Sequence, residues 1–203
     1  MSSIYKTEAD ILAGCKANKR EAQKALYKNY VSAMNAVSYR YTKSFDDAKD
    51  IVHDSFLAVF DKIHTYSGSG SLGGWIRKIV VNKSLNFIKS KQKTVDFSQE
   101  ESGISYSDME MSASYIQSED EHSDSDFEIS AMHLTKEDIL EGINKLNDNH
   151  RIIFNLFVID GYSHKSISET LQISEETSRV RLKRSREALQ KILLEMVHKT
   201  KLS

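Results

Sequence analysis

The segment SEETSRVRLKRSREAL, residues 174–189, contains five cationic side chains in a run of eight residues. They are Arg179, Arg181, Lys183, Arg184 and Arg186. The whole chain has a formal net charge of −1. Guanidinium and ammonium groups bind phosphate oxygens, and arginine can also donate two hydrogen bonds to the edge of a guanine. The cluster therefore indicates nucleic-acid binding. A solvated helix surface is the competing interpretation.

The residues around this basic cluster predict two helices joined by a tight turn. Apolar residues recur at helical spacing in 163–171 and 175–194, and the residues QIS separate the two segments. Ser174 is suited to cap the second helix, and Glu175 and Glu176 are favourable in its first turn. A short helix, a tight turn and a longer basic helix form a helix-turn-helix, whose second helix enters the major groove of DNA.

A helical wheel of this second helix predicts one buried stripe with cations around it. The stripe spans about 100° of arc, and the cations lie on both sides of it and across the outward arc. Its residues are Leu182, Leu189, Ile192 and Leu193.

An acidic stripe runs along a helix predicted from Ser44 or Asp46 to about His64. Four carboxylates share about 60° of the wheel, opposite an apolar side. They are Asp47, Asp50, Asp54 and Asp61. This stripe is unsuited to DNA and suits a basic protein partner, because opposed charges steer docking. An ordinary solvated face remains the alternative; a metal is disfavoured, because no histidine or second acidic cluster has ligand spacing.

A segment rich in glycine and serine, TYSGSGSLGG at residues 65–74, predicts a loop that leads into a helix from about Gly74 to Lys91. This helix carries amides and cations, which can contact base edges and phosphates, and the loop could receive an unstacked base. The polar residues are Arg77, Lys78, Asn82, Lys83, Asn86, Lys89 and Lys91. For Trp75 we favour packing in the core over contact with a base, because large aromatic side chains usually fill cores.

No pattern of catalytic residues is present in the sequence. Nucleophile elbows, zinc-protease helices and paired catalytic carboxylates are missing, and GSGSLGG lacks the lysine and hydroxyl residue of a phosphate-binding loop. We therefore predict a protein that is not an enzyme and needs no metal or other cofactor.

The composition predicts an all-α protein of two small helical domains. Proline is absent, glycine is sparse and 39% of the residues are hydrophobic. Residues 1–94 carry 16 Lys and Arg against 8 Asp and Glu, residues 95–140 carry 1 against 13, and residues 141–203 carry 11 against 8. We expect domains at 1–94 and 135–203, joined by an acidic, serine-rich linker at 95–134 that is disordered. The single cysteine and the lack of a signal peptide or membrane span predict a cytoplasmic location.

Further helices follow from capping patterns and apolar spacing. Capping boxes at Thr7 with Asp10 and at Thr135 with Asp138 predict two helix starts, and Gly14 is a plausible stop for the first. The remaining predicted helices are residues 19–41 and the apolar segment RIIFNLFVIDG, which ends at Gly161.

The N-terminal segments resemble region 2 of bacterial RNA polymerase sigma factors of the small, two-domain extracytoplasmic-function (ECF) type. DDAKDIVHDSFLAVF, residues 46–60, is similar to a family motif of the form D-A-x-D-[IL]-[VT]-Q-[DE]-x-F, with His53 at the usual glutamine. YSGSGSLGGWIRKIVVNKSLNFIKS, residues 66–90, is similar to the segment that reads the −10 promoter element. Here Gly73 and Gly74 stand where Lys-Thr is common, and Asn86 replaces a frequent aspartate.

Residues 143–189 resemble region 4 of the same family, which reads the −35 element. The family's Leu-Pro-x-x-x-Arg segment corresponds to Leu146 through Arg151, without its proline. Ser166 and Ser168 replace a common Glu and Ala, and Gln172 replaces the glycine of the turn. The matched segments cover about residues 8–94 and 136–194 and leave the linker unmatched.

The resemblance implies a transcription initiation factor that binds the β and β′ subunits of core RNA polymerase, recognises both promoter elements and assists strand opening. A cognate anti-sigma factor is a further expected partner. The linker is implied to thread the channel that RNA later occupies, and a solvated tether is the alternative for it.

The resemblance also assigns residues to three contacts. For core polymerase they are Asp47, Asp50, His53, Asp54 and Leu57. For the −10 element they are Trp75, Lys78, Asn82, Lys83, Asn86 and Lys89. For the −35 element they are His164, Lys165, Thr177, Arg179, Val180, Lys183 and Arg184. Among the last, Arg179, Lys183 and Arg184 are expected at bases or nearby phosphates and His164, Lys165 and Thr177 at phosphates, whereas Arg181 and Arg186 are expected to face the DNA backbone or solvent.

Two other functions fit parts of the sequence. A conventional helix-turn-helix regulator would act on an operator without polymerase, and would need a ligand pocket or a dimerisation helix within residues 1–94. An enzyme acting on nucleic acid would need metal ligands or a nucleophile.

Overall fold

A computed structural model describes residue 5, residues 7–91 and residues 134–201, with side chains to residue 198. The chain divides into two compact units, Met1–Lys93 and Thr94–Ser203. All regular elements in the described ranges are helical, as the composition predicts. The predicted linker lies outside the described residues except for Leu134, so its disorder stays a prediction. Within the described ranges, no helix combines the length and apolarity that crossing a bilayer requires.

The N-terminal unit is a bundle in which the second helix packs against the other three. Its elements are α1 (Glu8–Lys16), α2 (Arg20–Thr42), α3 (Phe45–Lys62), a 3₁₀ turn (Ile63–Thr65) and α4 (Leu72–Lys91). The core is apolar, with Leu26, Phe56 and Ile76 almost fully buried. Ser38 on α2 and Ser84 on α4 are also buried, and their hydroxyl oxygens lie 3.0 Å apart, which satisfies both polar groups.

Local capping sets the ends of α1. Thr7 and Asp10 form the predicted capping box. The prediction that Gly14 ends this helix is wrong, because α1 continues to Lys16 and Asn18 takes the left-handed conformation just beyond it, with φ of +55°. Gly14 instead permits close packing, since a Cβ at this position would lie 2.5 Å from the Cβ of Ala22.

Helices α3 and α4 each begin next to a serine. The sequence predicts that α3 starts at Ser44 or Asp46, and the structure has Ser44 as the capping residue. The Ser44 Oγ accepts a hydrogen bond from the amide of Asp47. The predicted start of α4 at Gly74 is wrong by two residues. The Ser71 Oγ accepts a hydrogen bond from the amide of Gly74, and the helix begins at Leu72, whose side chain is fully buried. Burial of Leu72 accounts for the earlier start.

The C-terminal unit contains the predicted helix-turn-helix. Its elements are α5 (Lys136–Lys145), α6 (Asp148–Phe154), a π-helical segment (Asn155–Ile159), α7 (His164–Leu171) and α8 (Glu175–Lys201). The capping box of Thr135 with Asp138 is confirmed. Helix α8 extends beyond the predicted end at Leu194, and it packs against α5, α6 and α7.

The turn between α7 and α8 contains a residue in an unfavourable backbone conformation. Gln172, at the position where the family commonly has glycine, has φ of +59° and ψ of +43°. Residues with a Cβ adopt this left-handed conformation at a cost of about 1–2 kcal/mol. The tight turn is thus formed without glycine, the residue that adopts this conformation most easily.

The apolar spacing of α5 predicts more burial than the structure shows. Ile143 is buried and Leu146, just after the helix, is buried too, but Ile139 is 41% exposed and Leu140 is 37% exposed. The cluster of Ile143, Leu146, Phe154, Leu189 and Leu193 forms the core around α8. The first turn of α5 therefore leaves two large apolar side chains accessible.

Candidate functional site

The outward side of α8 presents most of the cations of the sequence cluster. Arg179, Lys183 and Arg186 are exposed, and Arg184 is half-buried. The Arg179 guanidinium lies 3.1 Å from the Glu175 carboxylate, one turn earlier. This pair is exposed, so it holds the guanidinium only weakly and leaves it able to exchange its partner for a phosphate.

Arg181 corrects the prediction from the helical wheel. We expected this residue to face the DNA backbone or solvent, but its side chain is only 5% exposed. Ser178 and Ser185, one turn before and one turn after it, are fully buried. These small residues let neighbouring helices approach closely, and the buried stripe of α8 widens to include the guanidinium. Arg181 is therefore part of the interior of the unit.

His164 joins α7 to α8 at the N-terminal end of the motif. Its Nδ1 lies 2.9 Å from the Oγ of the buried Ser178, and its ring stacks on Phe157 with centroids 4.4 Å apart. Burial, together with the charge of Arg179, lowers the pKa of His164 below the usual value of 6.5. The folded environment therefore favours the neutral form of this ring more than water does.

A surface recess of about 470 Å³ lies between the start of α7 and the start of α8. Lys165, His164 and Arg179, three residues predicted to contact the −35 element, line it. Glu175 lines it too and pairs with Arg179, so an anion bound there would have to take the guanidinium from this carboxylate. Thr177 lies in the first turn of α8, where its hydroxyl is 2.8 Å from that of Ser174.

Helix α3 brings four of the five predicted polymerase-binding residues onto one exposed face. Asp50, His53 and Asp54 are exposed, and Leu57 beside them is 54% exposed. We call these four residues the α3 face. Asp61, one turn beyond Leu57, is exposed as well.

Asp47, the fifth of these residues, has a partner inside the unit. Its Oδ2 lies 2.8 Å from the Nζ of Lys91 at the end of α4. The hydrogen bond from Lys91 lowers the pKa of Asp47 below its usual value. Asp47 therefore ties α3 to α4 and is less available to an external partner than the residues of the α3 face.

Sequence reasoning missed an exposed aromatic residue at the start of α3. Phe45, the first residue of α3, is 66% exposed and stacks on Tyr39 with centroids 4.3 Å apart. The wheel places it on the apolar side of the helix, but the first residue lies beyond the packed core. A large apolar residue directly after a capping serine is the signal that could have found it.

The outward side of α4 collects five of the six residues predicted to contact the −10 element, and Lys83 lies off this face. Trp75, Lys78, Asn82, Asn86 and Lys89 follow one another at helical spacing along one face, and the buried residues of α4 lie opposite. Lys78, Asn82 and Asn86 are exposed, whereas Trp75, Lys83 and Lys89 are half-buried. We call the five aligned residues the α4 face.

Trp75 has features of a core residue and of a residue that could contact a base. Its indole packs against the ring of Tyr66, with centroids 5.6 Å apart, but it is not fully buried. Part of the ring therefore supports the loop before α4 and part is accessible.

A metal site is absent from the part of the chain that the structure describes, where no three His, Cys, Asp or Glu side chains are placed to hold an ion. Cys15 is buried, and burial raises the pKa of its thiol.

The fold and these surfaces define a class: an all-helical DNA-binding protein with a helix-turn-helix in its second unit. The model of Sigma-70 region 2 matches residues 26–94, and that of Sigma-70, region 4 matches residues 136–189. Together the two matched ranges span more than half of the chain. The chain belongs to the sigma-70 family of RNA polymerase sigma factors, and its relatives place it among the ECF sigma factors.

Those relatives include two proteins of Bacillus subtilis. ECF RNA polymerase sigma factor SigW is 23% identical over 167 residues, which cover 82% of this chain and 86% of SigW. ECF RNA polymerase sigma factor SigM is 22% identical over 165 residues, which cover 81% of this chain and 90% of SigM. A solved structure of the sigma factor RpoE with the anti-sigma factor NepR, from Bartonella quintana, has a TM-score of 0.49 and 19% identity, and the match covers 84% of this chain and 95% of that one.

The protein is thus a transcription initiation factor of the sigma type. A conventional helix-turn-helix regulator is not favoured, because the region 2 model matches residues where such a regulator would need a ligand pocket or a dimerisation helix. Members of the sigma family are initiation factors and not enzymes.

Proposed function

We propose that this protein uses the α3 face to bind core RNA polymerase and the α4 face and α8 to bind the −10 and −35 elements of its promoters. The observation that carries the proposal is the separation of charge between helices. Carboxylates crowd the exposed side of α3, whereas cations and amides occupy the exposed sides of α4 and α8. Within the N-terminal unit, a partner that binds the α3 face would leave the α4 face available for DNA.

The α3 face has the form of a protein-binding site. Leu57 stands among Asp50, His53, Asp54 and Asp61, so an exposed apolar side chain is surrounded by charged and polar ones. An apolar anchor inside a polar rim is the arrangement in which a few residues supply most of the binding energy. The carboxylates would steer a basic surface of core polymerase towards this anchor.

The α4 face suits a separated DNA strand. Asn82 and Asn86 are exposed and can donate and accept hydrogen bonds with base edges, and Lys78 and Lys89 flank them and can bind phosphates. The accessible part of Trp75 could stack on an extruded base beside the glycine-rich loop. We therefore assign capture of the −10 element to this face and the adjoining loop.

Helix α8 suits the major groove of a duplex −35 element. Lys183 and Arg184 both lie about two turns beyond Thr177, and the first turn of the helix faces the recess formed with α7. Bases would be read by Arg179, Lys183 and Arg184, and Val180 would contact a thymine methyl or the sugar edge. His164, Lys165 and Thr177 would bind phosphates and set the register of the helix on the duplex.

The domain boundaries and remaining partners are part of the proposal. We assign region 2 to residues 1–94, region 4 to residues 135–203 and the linker to residues 95–134. A cognate anti-sigma factor would compete with core polymerase for exposed apolar residues such as Leu57. Like other sigma factors, the protein would act in the cytoplasm without catalysis of its own.

Reconstitution with bacterial core polymerase tests the proposal. The purified chain is mixed with core, and run-off transcripts from genomic DNA fragments are sequenced. We expect a stable complex and transcripts that start at a fixed distance from two shared elements. Failure to bind core, or to direct initiation from any genomic fragment, contradicts the proposal; tight binding to an operator without core would point to a regulator instead.

A further inference from the structure

The glycine-rich loop before α4 is closed by a hydrogen bond within itself. The Tyr66 hydroxyl donates to the carbonyl oxygen of Gly70 at 2.7 Å. Tyr66 is only 8% exposed, although the segment that follows it consists of serine and glycine. Gly68 and Gly70 have φ of +83° and +85°, which let the chain turn back over the ring.

Two helices make contacts at the two ends of this loop, one at Tyr66 and one at the first turn of α4. The ammonium of Lys16 on α1 donates to the carbonyl of Tyr66 at 3.3 Å. The ring of Tyr30 on α2 lies against Gly73, where a Cβ would come within 2.9 Å of the ring, and the Tyr30 hydroxyl donates to the Glu8 carboxylate. A lysine at position 73, which is common in the family, would not fit against this ring without displacing it.

The loop is also linked to the tryptophan of the α4 face. The rings of Tyr66 and Trp75 are in contact, with centroids 5.6 Å apart. A change in the position of Tyr66 would therefore move Trp75, and it would change the solvent exposure of the only tryptophan in the chain.

We propose that Tyr66 is a positioning residue that holds the loop in its DNA-receiving conformation before DNA arrives. This inference rests on the proposed function of the loop and the α4 face at the −10 element. A loop of glycine and serine samples many conformations, and ordering it during binding would weaken affinity for DNA. The contacts of Tyr66, Lys16 and Tyr30 order the loop when the protein folds. The conformational entropy of the loop is then already lost before DNA binds.

The first experiment measures the loop without DNA. Tyr66→Phe removes only the hydroxyl, and Tyr162→Phe removes a hydroxyl from the other unit as a matched control. Loss of one neutral hydrogen bond predicts hydrogen exchange about 2–10-fold faster for the amides of residues 67–71 in Tyr66→Phe, and stronger quenching of Trp75 by acrylamide. The Tyr162→Phe protein should behave like wild type. Equal loop exchange in Tyr66→Phe and wild type overturns the inference.

The second experiment measures capture of a single strand by the complex with core polymerase. The probe is a single-stranded oligonucleotide selected from a randomised pool by the wild-type complex. We expect its Kd to rise about 2–10-fold for Tyr66→Phe, with affinity for core unchanged, and to rise in the same direction for Lys16→Met, which removes the tether from α1. An unchanged Kd in both variants overturns the positioning role but leaves the proposed function intact. If the wild-type complex selects no oligonucleotide, the proposed −10 contact fails, and the positioning role fails with it.

Discussion

Lys91 at the end of α4 and Asp47 in the first turn of α3 form an ion pair, with Nζ and Oδ2 2.8 Å apart. The two residues are separated by 44 positions in the chain. The pair joins the helix assigned to core polymerase to the helix assigned to the −10 element. It also removes one carboxylate from the acidic stripe that the sequence predicts, which leaves the α3 face as the accessible part.

Asp47→Asn should lower the melting temperature slightly at pH 7, and the difference from wild type should disappear in acid. The pKa of Asp47 is lower in the folded protein than in the unfolded chain. The carboxylate therefore stabilises the fold above its unfolded pKa, and this contribution is lost as the pH falls through the folded pKa. Thermal unfolding between pH 7 and pH 3 measures the effect. Asp50→Asn, on the same helix, is the control, and a similar pH dependence for both variants would argue against the pair.

Leu57→Ala should weaken binding to core polymerase by about 1–2 kcal/mol, because it removes the apolar anchor of the α3 face. Asp50→Arg should also weaken binding, since it reverses a steering charge, and should leave the C-terminal unit folded. Lys62→Ala, exposed at the end of α3, is the control. Competition with a labelled sigma factor for core gives the affinities. An Asp50→Arg protein that competes as well as wild type would remove the proposed role of the acidic face.

Two neighbouring arginines of α8 should give opposite results. Arg184→Ala should weaken −35-dependent initiation by about 1–3 kcal/mol and leave the fold intact. Arg181→Ala should instead destabilise the C-terminal unit by about 1–3 kcal/mol, because this side chain is buried. Transcription from promoters with and without the −35 element measures the first effect, and hydrogen exchange of the α8 amides in the full chain measures the second. An Arg181→Ala protein that is as stable as wild type but binds promoter DNA more weakly would contradict the structural role of this side chain.

Gln172→Gly should stabilise the C-terminal unit by about 1 kcal/mol, because glycine adopts the left-handed conformation of this turn without the penalty of a Cβ. Gln190→Gly, within α8, should have the opposite sign and a similar size, because glycine weakens a helix interior. Hydrogen exchange of the α8 amides reports both changes. Destabilisation by Gln172→Gly would mean that the glutamine side chain makes a contact worth more than the backbone strain.

Local patterns predicted the helices well because their signals are carried by neighbouring residues. The capping boxes at Thr7 and Thr135 need side chains only three positions apart, and both are confirmed. The errors concern residues whose role depends on distant contacts. Gly14 does not end α1 but lets Ala22 on α2 pack closely against it, and Leu72, outside the predicted α4, is buried in the core.

The candidate surfaces were likewise predictable where neighbouring residues carry the signal and not where distant residues meet. The helical wheel placed Asp50 and Asp54 on one stripe without knowledge of the tertiary fold, and the resemblance to the family added Leu57, Asn82 and Asn86 as contact residues. Neither could show that Asp47 pairs with Lys91 or that the Tyr66 hydroxyl closes the loop before α4.

The sequence by itself determined the helical class, the two basic segments with an acidic one between them, and the family, because these follow from composition, periodicity and motifs within short stretches. Only the tertiary structure decided which charged residues are available to a partner. Burial depends on what packs against a helix from distant parts of the chain, so Arg181 and Arg184, three residues apart on one basic helix, differ in environment: one is enclosed by its neighbours and the other reaches the surface.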